Sequence, residues 1–427
     1  MHSVYDEGCD AYSTVCERLR KLCPRLVPSP LWGLSIAGIT RMAPQVATIV
    51  CDGCDSVVES VHSYWMGIDR RGVCEVCGGS GNEVDEDWRY YILIEGKIAC
   101  SIEDVRTALG GNLKVEGIAY LAGLRLLCEK CHLAKHLGYA EVTGRSEKAK
   151  EHLALVNATN LEKIEEYIEI AFAIHRLLSK VSEWTIRVGE VKGLSSQLAN
   201  SIESFLNKMY QRGFFLYEGW LYYRSKEFRK VMEKAVKETR ELILEASRKS
   251  SGLGSQLILE ELIKIVKARL EQASIRVLEE ELRIFLNHIG KSYTRGFASE
   301  GKSLGGRIAS YLAGKWIVFL PPSIYPKAFK LMIERLEESG LAYEGKIVAK
   351  RDEYRRGGDK PVIMYVPSAL SLGILVEIAQ IIKGVLEELG IHRRLYFKPD
   401  IFTLEGIYYG TSRHKSYIYV FEEGLER

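Results

Sequence analysis

Three Cys-x2-Cys pairs, Cys51/Cys54, Cys74/Cys77 and Cys128/Cys131, fall between positions 51 and 131 of this chain. Each pair can offer two thiolates to one tetrahedral ion, and two pairs that meet close a zinc site and pin the chain wherever they do so. No other feature restricts the fold as tightly. Ten cysteines in 427 residues are too few for a disulfide-rich secreted scaffold, so the pattern reads as metal binding in a reducing, cytoplasmic setting. Gly78-Gly79-Ser80-Gly81 follows the second pair and supplies the turn that aims two sulfurs at one ion. Nineteen residues separate Cys54 from Cys74 and fifty separate Cys77 from Cys128, so spacing alone favours a local site built from the first two pairs. All six cysteines are candidate ligands.

The length allows two to four domains, each with its own core. Lys and Arg number 59 against 56 Asp and Glu, a formal net charge of +3, so any surface that binds nucleic acid must be local. Asn and Gln total 13 while charged residues make up 27%, a bias that suggests a thermophile. Acidic residues open the chain, and Arg41, Pro44 and Gln45 interrupt the apolar run that begins at Leu31. Neither a secretory leader nor a membrane span is expected.

Residues 1–45 hold four of the ten prolines and read as an N-terminal arm, with Cys9, Cys16 and Cys23 spaced by seven as a buried thiol stripe. Residues 46–190 read as the zinc-binding domain with its following helices, 191–304 as a helical region, and 305–427 as an α+β domain. In the helical region Leu259, Leu262, Val266, Leu270, Ala273 and Val277 form one apolar seam. The aromatic run Phe214 to Tyr223 suits a short hairpin whose rings pack, with base stacking as the alternative. Gly296 to Ser303 matches a phosphate-loop pattern by letter, but no apolar strand delivers it, so nucleotide binding there is not expected. Beyond Gly314, apolar alternation and amphipathic stretches predict strands at 315–320, 347–350 and 362–366 and helices at 325–339 and 370–389.

The order Cys74-Glu75-Val76-Cys77-Gly78, Glu86-Asp87-Trp88-Arg89-Tyr90, then Leu127-Cys128-x2-Cys131-His132-x3-His136-Leu137-Gly138 resembles the HNH-type, treble-clef zinc proteins. Looser likeness continues through His152 to Asn157, Ala171 to Ile174 and Trp184. The resemblance implies a structural zinc on Cys74, Cys77, Cys128 and Cys131, joining a β-hairpin to a helix that starts near Cys131. It also implies a catalytic set of Asp85, Glu86, His132 and His136 with Mg²⁺ or Mn²⁺ on a scissile phosphate. Asp85 stands where the family places a water-activating histidine. An aspartate there can bind Mg²⁺ or act as a weak base, its ordinary pKa being about 3.9. Taken alone, His132 and His136 can donate to the thiolates, contact a metal or phosphate, or replace a cysteine on zinc.

A second resemblance covers about residues 305–427. Gly314-Lys315-Trp316-Ile317-Val318-Phe319, Gly345-Lys346-Ile347-Val348-Ala349-Lys350 and above all Tyr396-Phe397-Lys398-Pro399-Asp400-Ile401-Phe402-Thr403-Leu404-Glu405-Gly406-Ile407-Tyr408 are similar to the basophilic-leukaemia-expressed-protein family. Its fold is similar to that of the cap-binding translation factors, which implies a curved antiparallel sheet backed by helices. Lys350, Arg393, Arg394, Lys398, Arg413 and Lys415 sit at strand ends and loops, where convergence would make a phosphate site.

The expected protein is therefore a multidomain α+β chain with an HNH-like treble clef, a central helical bundle and a C-terminal antiparallel sheet. Its expected role is nucleic-acid binding, with nuclease chemistry if catalytic and no membrane association. A non-catalytic adaptor that binds a protein partner, and an enzyme acting on a phosphorylated ligand, are the alternatives.

Overall fold

The computed structural model describes residues 7–250, 255–296, 312–407 and 414–422. The protein is a mixed α/β chain that divides into two compact units, Met1–Tyr217 and Glu218–Arg427. The boundaries read from sequence at 45, 190 and 304 are not where the units part. No helix among the described residues is long and apolar enough to cross a membrane.

In the first unit a small hairpin, β1 (Gly72–Val73) and β2 (Ser80–Gly81), precedes a four-stranded sheet. The sheet consists of β3 (Glu83–Ile94), β4 (Lys97–Ala99), β5 (Val115–Leu127) and β6 (Glu183–Val188) in the order β4-β3-β5-β6. β3 is a long strand because aromatic and branched residues from Trp88 to Ile94 suit a pleated, half-buried surface. It pairs antiparallel with β5, and the register shifts between Asp87 and Trp88. β6 joins β5 in parallel after the helix Leu161–Leu178, which Asn160 caps by accepting from the Lys163 N–H at 2.9 Å. At that join Gly117 lies opposite Trp184, and the indole fills the space a side chain would need.

The first 45 residues are not an arm. Tyr12, Val15, Leu19 and Leu22 are buried, and the Tyr12 ring meets Tyr90 edge-on at 6.2 Å. The cysteine stripe expected there is also corrected. The only α-helix before residue 30 among the described residues is Ser13–Cys16, and disulfides join Cys9 to Cys100 and Cys16 to Cys23. With Cys51–Cys54, six of the ten cysteines are oxidised, against the expectation of reduced thiols throughout.

The first unit ends on β7 (Phe214–Tyr217). The second unit carries an antiparallel sheet of β8 (Trp220–Arg224), β9 (Ile275–Val277), β10 (Gly314–Leu320), β11 (Glu344–Val348), β12 (Lys360–Val366), β13 (Leu395–Pro399) and β14 (Tyr419–Phe421), in the order β8-β11-β12-β10-β13-β14-β9. Alternation sorts each strand into two faces. Trp316, Val318, Met364, Ile347 and Phe397 turn to a rear face and are buried. Helices Tyr325–Glu338 and Leu372–Glu388 belong to that side. Phe329 lies against Gly345, and the Trp316 indole N–H donates to the Leu375 carbonyl at 3.1 Å. Lys315, Lys346, Tyr365, Lys398, Trp220 and Tyr222 share the front face, because Lys315 stands opposite both Tyr365 and Lys398 and Lys346 opposite Tyr222.

Candidate metal centre

The sulfurs of Cys74, Cys77, Cys128 and Cys131 lie within 4.8 Å of one another. β1 and β2 position the first pair. Gly78, at φ 76°, closes the turn between them, with the Gly78 N–H donating to the Cys74 carbonyl at 2.9 Å and the Cys74 N–H to the Gly79 carbonyl at 2.7 Å. The second pair opens the helix Glu129–Lys135, where Cys128 is the N-cap and its sulfur accepts from the Cys131 N–H at 3.4 Å.

Burial raises the Cys74 thiol, but N–H donors from Cys77, Cys128 and Val76 outweigh it and bring the pKa down to about 6. Cys131 is pushed far up, first by burial and then by the three neighbouring thiols. Four sulfurs this close cannot all ionise without a cation among them, and binding one releases the remaining protons. The donor set suits zinc in a closed structural site. Cys51 and Cys54, bonded to each other, are not part of this cluster. The local pairing that spacing favoured is therefore not the one formed.

A second cluster adjoins the first. Asp85 Oδ1 lies 3.1 Å from His136 Nε2 and 3.9 Å from His132 Nε2, and the ligand atoms of all three lie within 4.8 Å. The histidines reach one side because positions i and i+4 share a helix face. Asp85 is buried, and its other oxygen pairs with the buried Lys135 ammonium. Lys135 also donates to the Glu86 carbonyl at 2.6 Å. Burial pushes the Asp85 carboxyl up, but His136 and Lys135 outweigh it and hold the pKa well below the usual carboxylate range. Held in this way, the Asp85 carboxylate favours its charged form and is a poor proton acceptor. Burial and the neighbouring His136 lower the His132 pKa, which favours the neutral ring and its lone pair.

Glu86 does not join this set. Its carboxylate accepts from the Ala37 N–H at 2.8 Å and the Trp88 indole at 2.7 Å, and burial raises its pKa. The histidines do not cap the thiolates either. That place belongs to His152, whose Nε2 lies 3.1 Å from Cys131 Sγ. Behind Asp85 a chain of charges runs from Arg125 to Asp87 at 3.1 Å, Asp87 to Arg25 at 3.5 Å and Arg25 to Asp10 at 2.8 Å. Sequence reasoning missed Lys135, Arg125 and His152 as site residues. Two of them carried a signal, Lys135 by its place one residue before His136 and His152 by opening the stretch in which the looser likeness continues.

The basic residues expected to form a phosphate patch are dispersed. Arg393 pairs with Asp359 at 3.1 Å, and Arg394 is exposed beside it. Lys350 follows β11 at the end of the sheet near Lys360, while Lys398 lies at the other end and donates to the Ile407 carbonyl at 2.8 Å. The Lys415 N–H donates to Glu281. Arg413, and the phosphate-loop pattern beyond Gly296, lie outside the described residues. Compared with models of known protein families and with curated proteins, the sequence matches none.

Proposed function

We propose that the first unit is a zinc-stabilised module that binds a nucleic-acid phosphodiester and cuts it when a divalent ion occupies the Asp85, His132 and His136 cluster. The observation that carries this reading is the convergence of one buried carboxylate oxygen and two partly exposed imidazole nitrogens beside the cysteine cluster. Cys74, Cys77, Cys128 and Cys131 would hold the structural zinc. A divalent ion on the second set would polarise a phosphate oxygen and offset the charge that builds during cleavage. The protein's own groups prepare for it. Lys135 keeps Asp85 ionised and turns one oxygen toward the histidines, and neutral His132 leaves a lone pair available.

One observation favours a non-catalytic module, the adaptor or binding reading. Lys135 and His136 satisfy Asp85 without any ion. Cleavage of single- and double-stranded DNA and RNA with Mg²⁺ or Mn²⁺ separates the two, comparing wild type with Asp85→Asn and His136→Ala at equal zinc content. Cleavage lost in both variants supports the nuclease. Salt-sensitive binding without cleavage leaves a nucleic-acid-binding module, and no binding at low salt leaves a protein-binding adaptor. Metal analysis is expected to return one zinc per chain, falling to none in Cys128→Ser.

A further inference from the structure

Cys51 and Cys54 are bonded to each other and stand outside the metal cluster, which leaves the remaining Cys-x2-Cys pair without a role. As a crosslink it does little. Its cysteines are 3 residues apart, against 91 for Cys9 and Cys100, and closing so short a loop takes the least freedom from the unfolded chain.

The surroundings of the pair suit exchange instead. Gly53, at φ 76°, turns the chain so that the Cys54 N–H donates to the Cys51 carbonyl at 3.2 Å, and Cys54 becomes the first residue of the helix Cys54–Met66. With Gly53 as N-cap, no side chain bonds the N–H groups of the first turn. Those donors and the helix dipole stabilise a thiolate released at Cys54. The two sulfurs are also unequal. Cys51 is half-buried while Cys54 is 5% exposed, so an incoming thiol meets Cys51 and Cys54 is the sulfur that leaves.

A cavity of about 350 Å³ opens against Cys54 and Val57. Further lining comes from one face of the helix Ser196–Gln211, where Gln197, Asn200, Ser204 and Lys208 follow at helical spacing. These four are exposed. Amide and hydroxyl groups both donate and accept, which matches the alternating N–H and C=O groups of a peptide main chain.

We propose that Cys51–Cys54 is a thiol–disulfide exchange site whose substrate is a peptide dithiol lying along Gln197, Asn200 and Ser204. A substrate thiolate attacks the Cys51 sulfur, the Cys51–Cys54 bond breaks, and Cys54 leaves as a thiolate that takes up the proton the first thiol gave up. The second substrate thiolate then attacks the substrate sulfur of the mixed disulfide, and Cys51 leaves and is protonated in turn. The substrate gains a disulfide and loses two electrons and two protons, which the protein holds as a dithiol, and a peptide disulfide runs the same steps in reverse. The site lies wholly in the first unit and uses neither the ion nor the histidines of the metal centre.

Equilibrating the full-length, zinc-loaded protein with graded mixtures of reduced and oxidised glutathione, then alkylating and mapping by mass spectrometry, tests this without a variant. Cys51–Cys54 is expected to open at a less negative potential than Cys9–Cys100 and Cys16–Cys23. Turnover is followed as reduction of a short synthetic peptide disulfide by dithiothreitol. It is expected to fall about tenfold or more in Cys51→Ser and to persist when Cys16→Ala is combined with Cys23→Ala. Cys54→Ser, which removes the resolving sulfur, is expected to hold the peptide as a mixed disulfide on Cys51. Asn200→Leu is expected to raise KM for the peptide and leave the potential unchanged. A Cys51–Cys54 bond that opens no more readily than the other two, turnover undiminished in Cys51→Ser, or no mixed disulfide on Cys51 in Cys54→Ser would overturn the exchange site. An unchanged KM in Asn200→Leu would overturn the peptide's place in the cavity.

Discussion

Lys135 decides how the second cluster behaves. It is buried against Asp85, and removing one partner of a buried ion pair leaves the other uncompensated at a cost of about 3–5 kcal/mol. Lys135→Met should lower unfolding stability by roughly that amount, read from denaturant midpoints. If Asp85 is a metal ligand, millimolar Mg²⁺ or Mn²⁺ should restore part of the loss, since an ion bound only to the folded state stabilises it. No recovery would mark the lysine pair as purely structural. Lys398 offers a pH test. Burial, with repulsion from Lys315, outweighs attraction to Asp400 and brings its pKa down to about 8, against about 10.4 in an unfolded chain. Between those values the unfolded state holds the extra proton, so this residue makes stability rise with pH from about 8 to about 10.4. Below that window the buried charge is a fixed cost. Across that range the melting temperature of wild type should rise relative to that of Lys398→Met.

Among the elements, β5 carries its own control experiment. A Cβ on Gly117 would lie 2.4–2.6 Å from the Trp184 ring, whereas one on Gly123 meets nothing within 4 Å. Gly117→Ala should cost about 1–3 kcal/mol through overpacking, and Gly123→Ala should be near neutral, both measured by thermal unfolding. Elements whose signal is local were legible in the sequence. β10 alternates from Lys315 to Leu320 and is stopped by Pro321, and helix Leu372–Glu388 ends before Gly390. Pairing partners were not legible. Nothing local in Trp220–Arg224 or Ile275–Val277 says that they join strands beyond residue 340 in one sheet. The cysteine cluster likewise needed tertiary closure across fifty residues, which spacing argued against.

On the scale of the whole molecule, the first 45 residues and the Cys9–Cys100 disulfide bind distant parts of the first unit together. Cys9–Cys100 spans 91 residues, and a crosslink over so long a loop restricts the unfolded chain most. Cys9→Ala should lower stability by about 2–5 kcal/mol under oxidising conditions, with little difference from wild type once both are reduced. The second unit is closed by a different device. β14 lies between β13 and β9, pairing Tyr419 with Phe397 on one side and Val277 on the other. During synthesis, strands from 220 to 399 are therefore made well before the strand that completes their sheet. A chain released before residue 419 would present two open strand edges, one beside Phe397 and one beside Val277, each a template for pairing with another copy. Premature termination in this protein should thus be read out as aggregation rather than as a shortened, working unit.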